Sequence, residues 1–304
     1  MKKIIIILMF LQFIFSQFTG YNNYKSLFKG AKTLSMGNTI TSKNIGPESI
    51  IGNPALIFSD NILDFKFNTT FNTLFNYYIQ NYALTYNLSI GLNTGMNISQ
   101  FSTGEIDIFN TSGNLIQKTS FGSSLITFAL AKKIDYMQFG LSVNTLYFNN
   151  FKTAGIEGIY GDLGFLLNFK YFKIGFNWDS IVKLEGETYG FSEEYGSQNI
   201  ELGVGIIIPF IMKSKIEIYP SLLINFKKVI LGTEYNILDN LFSLRGGLSY
   251  SEFEQFNYFA GASFNYNLGF NKSNNNMNIE LSYALKINSS FFLHLIQLDI
   301  GLKY

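Results

Sequence analysis

The sequence of 304 residues contains no cysteine. Thiol catalysis and cysteine-ligated metals are therefore excluded. It contains a single histidine, His294. Any histidine-based hydrolysis would have to run through that residue, and no serine on the adjoining outward face completes a dyad. A metal site lacks a second histidine. No glycine run has phosphate-loop spacing. No catalytic residue, metal or cofactor is expected, and the chain is read as a non-enzyme. Charge of one sign is also missing: 22 basic residues face 21 acidic ones. That leaves no basic field for nucleic acid. Beyond the N-terminus no apolar run reaches the roughly 18 residues that a membrane helix needs. Proline is scarce, with four residues, two of which (Pro47 and Pro54) lie within residues 18–60.

What is present is aromatic and alternating. The chain holds 32 Phe, 19 Tyr and 27 Gly. Its first residues, MKKIIIILMFLQFIFSQ, read as a secretory signal. Lys2 and Lys3 form the charged start, and an apolar core too short to span a bilayer follows. Cleavage is expected near Ser16 and Gln17, so residues 1–17 form the signal. The remainder then carries 20 basic and 21 acidic residues, a net charge of −1.

After about Ile62 the hydrophobic period is two. In the final stretch, Ile296, Leu298, Ile300, Leu302 and Tyr304 alternate with Gln297, Asp299, Gly301 and Lys303. Residues 242–250 and 277–287 repeat the pattern. A strand with one greasy and one wet face, recurring behind an export signal, predicts an all-β protein: a transmembrane antiparallel β-barrel. Fourteen strands are expected, at roughly 62–73, 77–87, 89–100, 122–133, 137–149, 155–169, 172–183, 200–209, 215–227, 229–237, 241–250, 256–268, 277–287 and 291–304. The division is a signal at 1–17, an N-terminal plug segment at 18–60 and an outer-membrane barrel at 61–304. An even strand number puts both barrel ends on the periplasmic side, with the long connections 101–121 and 184–199 outside. Pro220 interrupts a strand, and a bulge is expected there.

At residues 30–56 the chain reads GAKTLSMGNTITSKNIGPESIIGNPAL. This resembles the N-terminal signature of the PorV/PorQ family of outer-membrane barrels, distant relatives of the FadL fatty-acid channels. The matching positions are Gly30, Ala31, Met36, Gly37, Asn53, Pro54 and Ala55; Lys32 stands where the family usually has arginine. Residues 160–164, 232–235, 244–246 and 281–284, with His294, resemble later family blocks. The resemblance implies fourteen strands with the N-terminal segment folded inside. It also implies an accessory role in protein secretion or surface attachment, of the type IX kind, with secreted cargo or secretion-system subunits as partners. The alternative is a FadL-like channel for hydrophobic small molecules. It predicts an apolar pocket between plug and wall near Phe28, Leu34 and Ile51, and a lateral opening. Both readings place the protein in the outer membrane, in contact with its lipid.

Three groups of candidate residues follow. Asn53, Pro54 and Ala55 either line a ligand path or form a rigid corner between plug and wall. Asp162, Glu201, Glu234, Arg245, Glu280, Lys286 and Asp299 have inward parity. They either tune a pore or satisfy the plug and one another. Glu234 and Arg245 lie on neighbouring strands and are expected to pair. Glu185, Glu187, Tyr189, Phe191, Glu193, Glu194 and Tyr195 form an acidic, aromatic loop, either a partner-docking site or a solvated surface.

Overall fold

The computed structural model describes residues 25–303 apart from 26–27, 38, 40, 44–47, 59–61, 73–76, 89–90, 105, 110–114, 121, 151–152, 186–198, 211–212, 225–226, 252–254, 270–275 and 288–291. The expected signal lies outside the described residues.

Among the described residues sixteen strands follow one another: β1 (Leu63–Asn72), β2 (Tyr77–Asn87), β3 (Leu92–Thr103), β4 (Ile106–Phe109), β5 (Leu115–Thr119), β6 (Gly122–Ile134), β7 (Met137–Asn150), β8 (Thr153–Asn168), β9 (Phe172–Glu185), β10 (Asn199–Pro209), β11 (Lys215–Leu223), β12 (Lys228–Ile237), β13 (Phe242–Ser251), β14 (Gln255–Gly269), β15 (Asn276–Ile287) and β16 (Phe292–Lys303). Fourteen of them form one closed barrel, each strand antiparallel to its neighbours. Closure comes from β1 and β16, where Phe67 stands opposite Ile300 and Asp64 opposite Lys303. No barrel edge is left to be satisfied by lipid, which cannot hydrogen-bond a backbone. The other two strands, β4 and β5, pair only with each other. This hairpin lies in the connection after β3 that the sequence reads as a plain loop.

Alternation explains the wall. In β2 the side chains of Ile79, Asn81, Ala83 and Thr85 are buried, while Tyr78, Tyr82, Leu84 and Tyr86 are exposed. In β13, Ser243, Arg245 and Ser249 are buried and Phe242, Leu244 and Tyr250 exposed. Leu141 is 59 % exposed and Leu281 54 % exposed, values that make sense against acyl chains rather than water. Aromatic pairs sit on the outside at both ends of the wall. Phe242–Phe264 and Tyr136–Phe169 flank one rim, and Tyr250–Phe256 the other. Such girdles belong at the two bilayer interfaces. We call the end that holds Leu63 and Lys303 the turn rim and the opposite end the loop rim.

The expected bulge at Pro220 does not form. Gly203 stands opposite Ser221 and Ile206 opposite Ile218, the same offset on both sides of the proline. The pairing of Pro220 with Leu231 on β12 is also regular. Proline lacks only an N–H, so a gap in one ladder accommodates it without an inserted residue. Within the barrel the register shifts fall where β8 meets β7 and β9. Gly161 pairs with Val182 and Leu163 with Trp178, so Asp179, Ser180 and Ile181 stand against the single residue Asp162. Ser180 takes a φ of 59° there. Its N–H donates to Asp162 Oδ1 at 2.9 Å. The bulge turns both Asp162 and Asp179 inward.

Described residues between 25 and 58 lie inside this wall, buried on almost every side chain. They form two short helices, Ala31–Ser35 and Glu48–Gly52, and a 3-10 turn, Pro54–Leu56. Glycines on the wall make room for the segment. A Cβ on Gly140 would overlap the backbone of Pro54 and Ala55, and one on Gly164 would overlap Asn53 Oδ1.

The inward face has two layers. Toward the loop rim, Ile79, Phe101, Leu125, Leu146 and Tyr160 pack around Phe28 and Ile51. Leu293, Leu295, Ala284 and Phe259 pack around Ala31 and Leu34. Toward the turn rim most inward side chains around the cavity are charged or amides, while Ala131 on β6 and Leu166 on β8 stay apolar against the lumen segment.

Candidate functional site

The motif residues of the lumen segment act through its backbone. Gly30 caps the first helix, and Met36 ends it. Gly37 follows with a φ of +74°, and its Cα faces Ile230, where a Cβ would come within 2.8 Å of the Ile230 Cγ2. Both the backbone sign and the close approach require glycine there. Asn53 caps the 3-10 turn: its Oδ1 accepts from the Ala55 N–H at 3.0 Å. Its Nδ2 donates to the Thr41 carbonyl at 2.7 Å and the Phe176 carbonyl at 3.3 Å. One amide thus ties the turn to an earlier part of the segment and to β9. Asn53, Pro54 and Ala55 are all buried against Gly140 and Gly164. That is the geometry of a corner between segment and wall.

Three lysines of the segment each hold two carboxylates of the wall. Lys25 Nζ lies 2.9 Å from Asp162 Oδ2 and also contacts Asp179. Lys32 Nζ lies 2.6 Å from Glu280 Oε2 and 3.3 Å from Asp299 Oδ2. Lys43 Nζ lies 3.1 Å from Glu217 Oε2 and also contacts Glu234. The acids of the last two pairs are direct cross-strand partners, Glu280 with Asp299 and Glu217 with Glu234. Like charges so placed repel each other. A cation between them reverses the sign of the interaction.

Arg245 joins two of these clamps. It stands opposite Glu234 in register. Its Nε donates to Glu234 Oε1 at 2.9 Å and its Nη2 to Glu280 Oε1 at 3.1 Å. Charges of alternating sign therefore run from Lys43 through Glu234, Arg245 and Glu280 to Lys32. Of the other expected lumen charges, Glu201 is buried and faces Lys29. Lys286 Nζ sits 6.0 Å from the Phe259 ring centroid, on the edge of the apolar layer.

Between the clamps and the turn rim lies a polar cavity of about 400 Å³. Lys66, Lys173, Lys215, Asn236, Asn265 and Asn278 line it together with the clamp residues. Sequence reading missed Lys25, Lys43, Asp179 and Glu217. Asp162, Glu234, Glu280 and Asp299 were legible as inward positions, but Asp179 and Glu217 were not, and no local signal connects these two to lysines 154 and 174 residues away.

Elsewhere, the side chain of Glu185 and residues Glu187, Tyr189, Phe191, Glu193, Glu194 and Tyr195 lie outside the described residues. His294 lies on the outer face, its Nδ1 2.6 Å from the Tyr283 hydroxyl. On the turn rim, Lys213 bonds Asp239 at 2.8 Å, which raises the lysine pKa.

The fold is shared with known channels. The Pseudomonas putida toluene transporter TodX superposes with a TM-score of 0.60 at 10 % identity, covering 91 % of this chain and 98 % of that one. The Ralstonia pickettii toluene transporter TbuX gives 0.54 at 14 % identity, covering 90 % and 97 %. A Pseudomonas aeruginosa FadL homologue gives 0.56 at 10 % identity, covering 91 % and 98 %. No protein-family model and no curated protein matches the chain. These likenesses show the fold, a closed antiparallel barrel, and do not extend to PorV/PorQ.

Proposed function

We propose that this protein is a non-enzymatic outer-membrane channel for hydrophobic small molecules. The observation that carries the reading is the apolar inner layer. In a water-filled barrel the inward positions are polar. Here Ile79, Phe101, Leu125 and Leu146 turn inward and pack on Phe28 and Ile51 of the lumen segment. Side chains that avoid water on the inside of a membrane barrel suit an apolar solute. The printed names of TodX and TbuX, toluene transporters, support the same class. The turn rim then faces the periplasm and the loop rim the outside.

The secretion-accessory reading yields to this one. It rested on the PorV/PorQ resemblance, and the solved structures reported above are named for hydrocarbon transport or for FadL. Lipid remains the expected surrounding partner.

Crosslinking the tagged protein in intact cells, followed by purification and mass spectrometry, separates the two. The channel reading expects the barrel alone, with hydrophobic small molecules recovered on extraction. Recovery of secreted proteins sharing one C-terminal domain, or of translocon subunits, overturns it.

A further inference from the structure

The turn rim is not uniform in charge. Along one arc, backbone hydrogen bonds join neighbouring turns into a continuous edge. The Lys133 N–H donates to the Gly91 carbonyl, just ahead of β3, at 2.7 Å. The Asn168 N–H donates to the Tyr136 carbonyl at 2.8 Å, tying the β8–β9 turn to the β6–β7 turn. Lys132, Lys133 and Lys170 lie on this edge, and Asp135 is the one acid among its described residues. Lys133 and Lys170 are exposed, and neither is in an ion pair among the described residues. Farther round the rim the charge cancels, because Lys213 bonds Asp239 at 2.8 Å.

A second observation says what this edge faces. Lys132 shares the outward side of β6 with Phe128 and Leu130, which are 57 % and 50 % exposed, and it stands opposite Phe139. An ammonium among lipid-facing side chains is costly, so a lysine at the end of such a strand bends toward the headgroups. That is its position here. Its Nζ lies 3.9 Å from the point where a Cβ on Gly91 would stand. Exposed rings follow along the edge: Tyr136, Phe169, Tyr171 and Phe172. Tyr136 and Phe169 stack at 4.9 Å, and Lys170 Nζ sits 5.0 Å from the Tyr171 ring centroid. Rings at a barrel end mark the depth of the lipid headgroups. Lysines at that depth attract a headgroup of net negative charge.

We propose that this arc selects anionic glycerophospholipids from the leaflet around it. It offers two stations, Lys132 and Lys133 beside Gly91, and Lys170 at Tyr171. The headgroup phosphate meets the ammonium groups, and the upper acyl chains lie on the rings. The proposal rests on the part of the functional reading that stands the barrel in the outer membrane with its turn rim toward the periplasm. It does not rest on what the barrel transports.

The test is native mass spectrometry of the full chain, released from neutral-detergent micelles at low ionic strength. In the first arm the micelles hold equimolar phosphatidylglycerol and phosphatidylcholine with matched acyl chains. The wild type should retain about fivefold more phosphatidylglycerol. One variant combines Lys132→Gln, Lys133→Gln and Lys170→Gln, and its excess should fall to within about twofold. Arginine at the same three positions should keep the excess, since both side chains carry the charge. Lys213→Gln, the rim control, should keep it as well. Should the triple glutamine variant not fold, Lys133→Gln with Lys170→Gln takes its place, because both side chains are exposed, and about half of the excess should go. Equal retention of the two lipids by the wild type overturns the proposal and leaves the orientation standing. So does an excess that the glutamine variants leave intact. A second arm pairs phosphatidylglycerol with lipid A. Retention of phosphatidylglycerol there supports the proposal. Retention of lipid A alone overturns it together with the orientation of the rim.

Discussion

Glu280 and Asp299 stand directly opposite each other on β15 and β16, two carboxylates in one register pair. Such a pair is repulsive alone. The ammonium of Lys32 reaches both, and so the wall is electrostatically complete only when the lumen segment is in place. The same logic recurs at Lys43 and at Lys25.

Removing Lys32 should therefore cost more than its own contacts. Lys32→Met leaves two buried acids facing each other, and the expected loss is about 3–5 kcal/mol. Urea-dependent refolding followed by gel mobility reads it. Adding Glu280→Gln and Asp299→Asn should restore a large part. If the triple variant is no more stable than Lys32→Met, the repulsion is not the cause.

The corner at Asn53 makes a second prediction. Asn53→Ala loses both the cap and the bond to the Thr41 carbonyl. About 2 kcal/mol should disappear, about half from each. The loss should appear as faster hydrogen exchange in residues 48–56, with the barrel strands still protected.

Gly140→Ala tests the fit of segment to wall by steric means. The added methyl meets backbone atoms of Pro54 and Ala55, which cannot rotate away. A cost of about 1–3 kcal/mol is expected. Exchange should rise in the segment and not in β7. Equal loosening of both would mean that the segment and the wall unfold as one unit.

The wall was legible because two solvents select its two faces. Acyl chains demand apolar side chains outside, the lumen favours polar ones inside, and a period of two results at nearly every strand. Strand ends shift by a few residues because alternation continues past the last ladder bond, as at β3, which runs on to Thr103. The β4–β5 hairpin was not legible, since Ile106–Phe109 is too short to show a period. The apolar inner layer was expected only under the channel alternative, near Phe28, Leu34 and Ile51, and its wall residues were not legible. Leu125, Ala129 and Ala131 share a face with Ser123 and Thr127, and that mixture says only that something other than water lies inside. The clamps depend on contacts across most of the chain, so four of their six acids showed, while Asp179, Glu217 and the lysines' role did not.

Outside the barrel, depth in the bilayer decides the cost of a charge. Val143 is 52 % exposed near the middle of β7. Val143→Arg should destabilise the barrel by about 2–4 kcal/mol in lipid vesicles. Lys213→Ala, on the turn rim, should leave stability unchanged, because an exposed ion pair is weak. A neutral Val143→Arg would place that face away from acyl chains.

Transfer of a labelled apolar solute across the outer membrane tests the central claim most directly. Cells lacking a channel of their own for toluene would express this chain, and initial uptake of labelled toluene would be followed beside uptake of a polar solute of similar size. The account predicts faster toluene uptake with unchanged polar uptake, and loss of the gain in Leu125→Asp barrels that still fold. Toluene uptake no faster than in cells without the chain, from a folded barrel in the outer membrane, would contradict it.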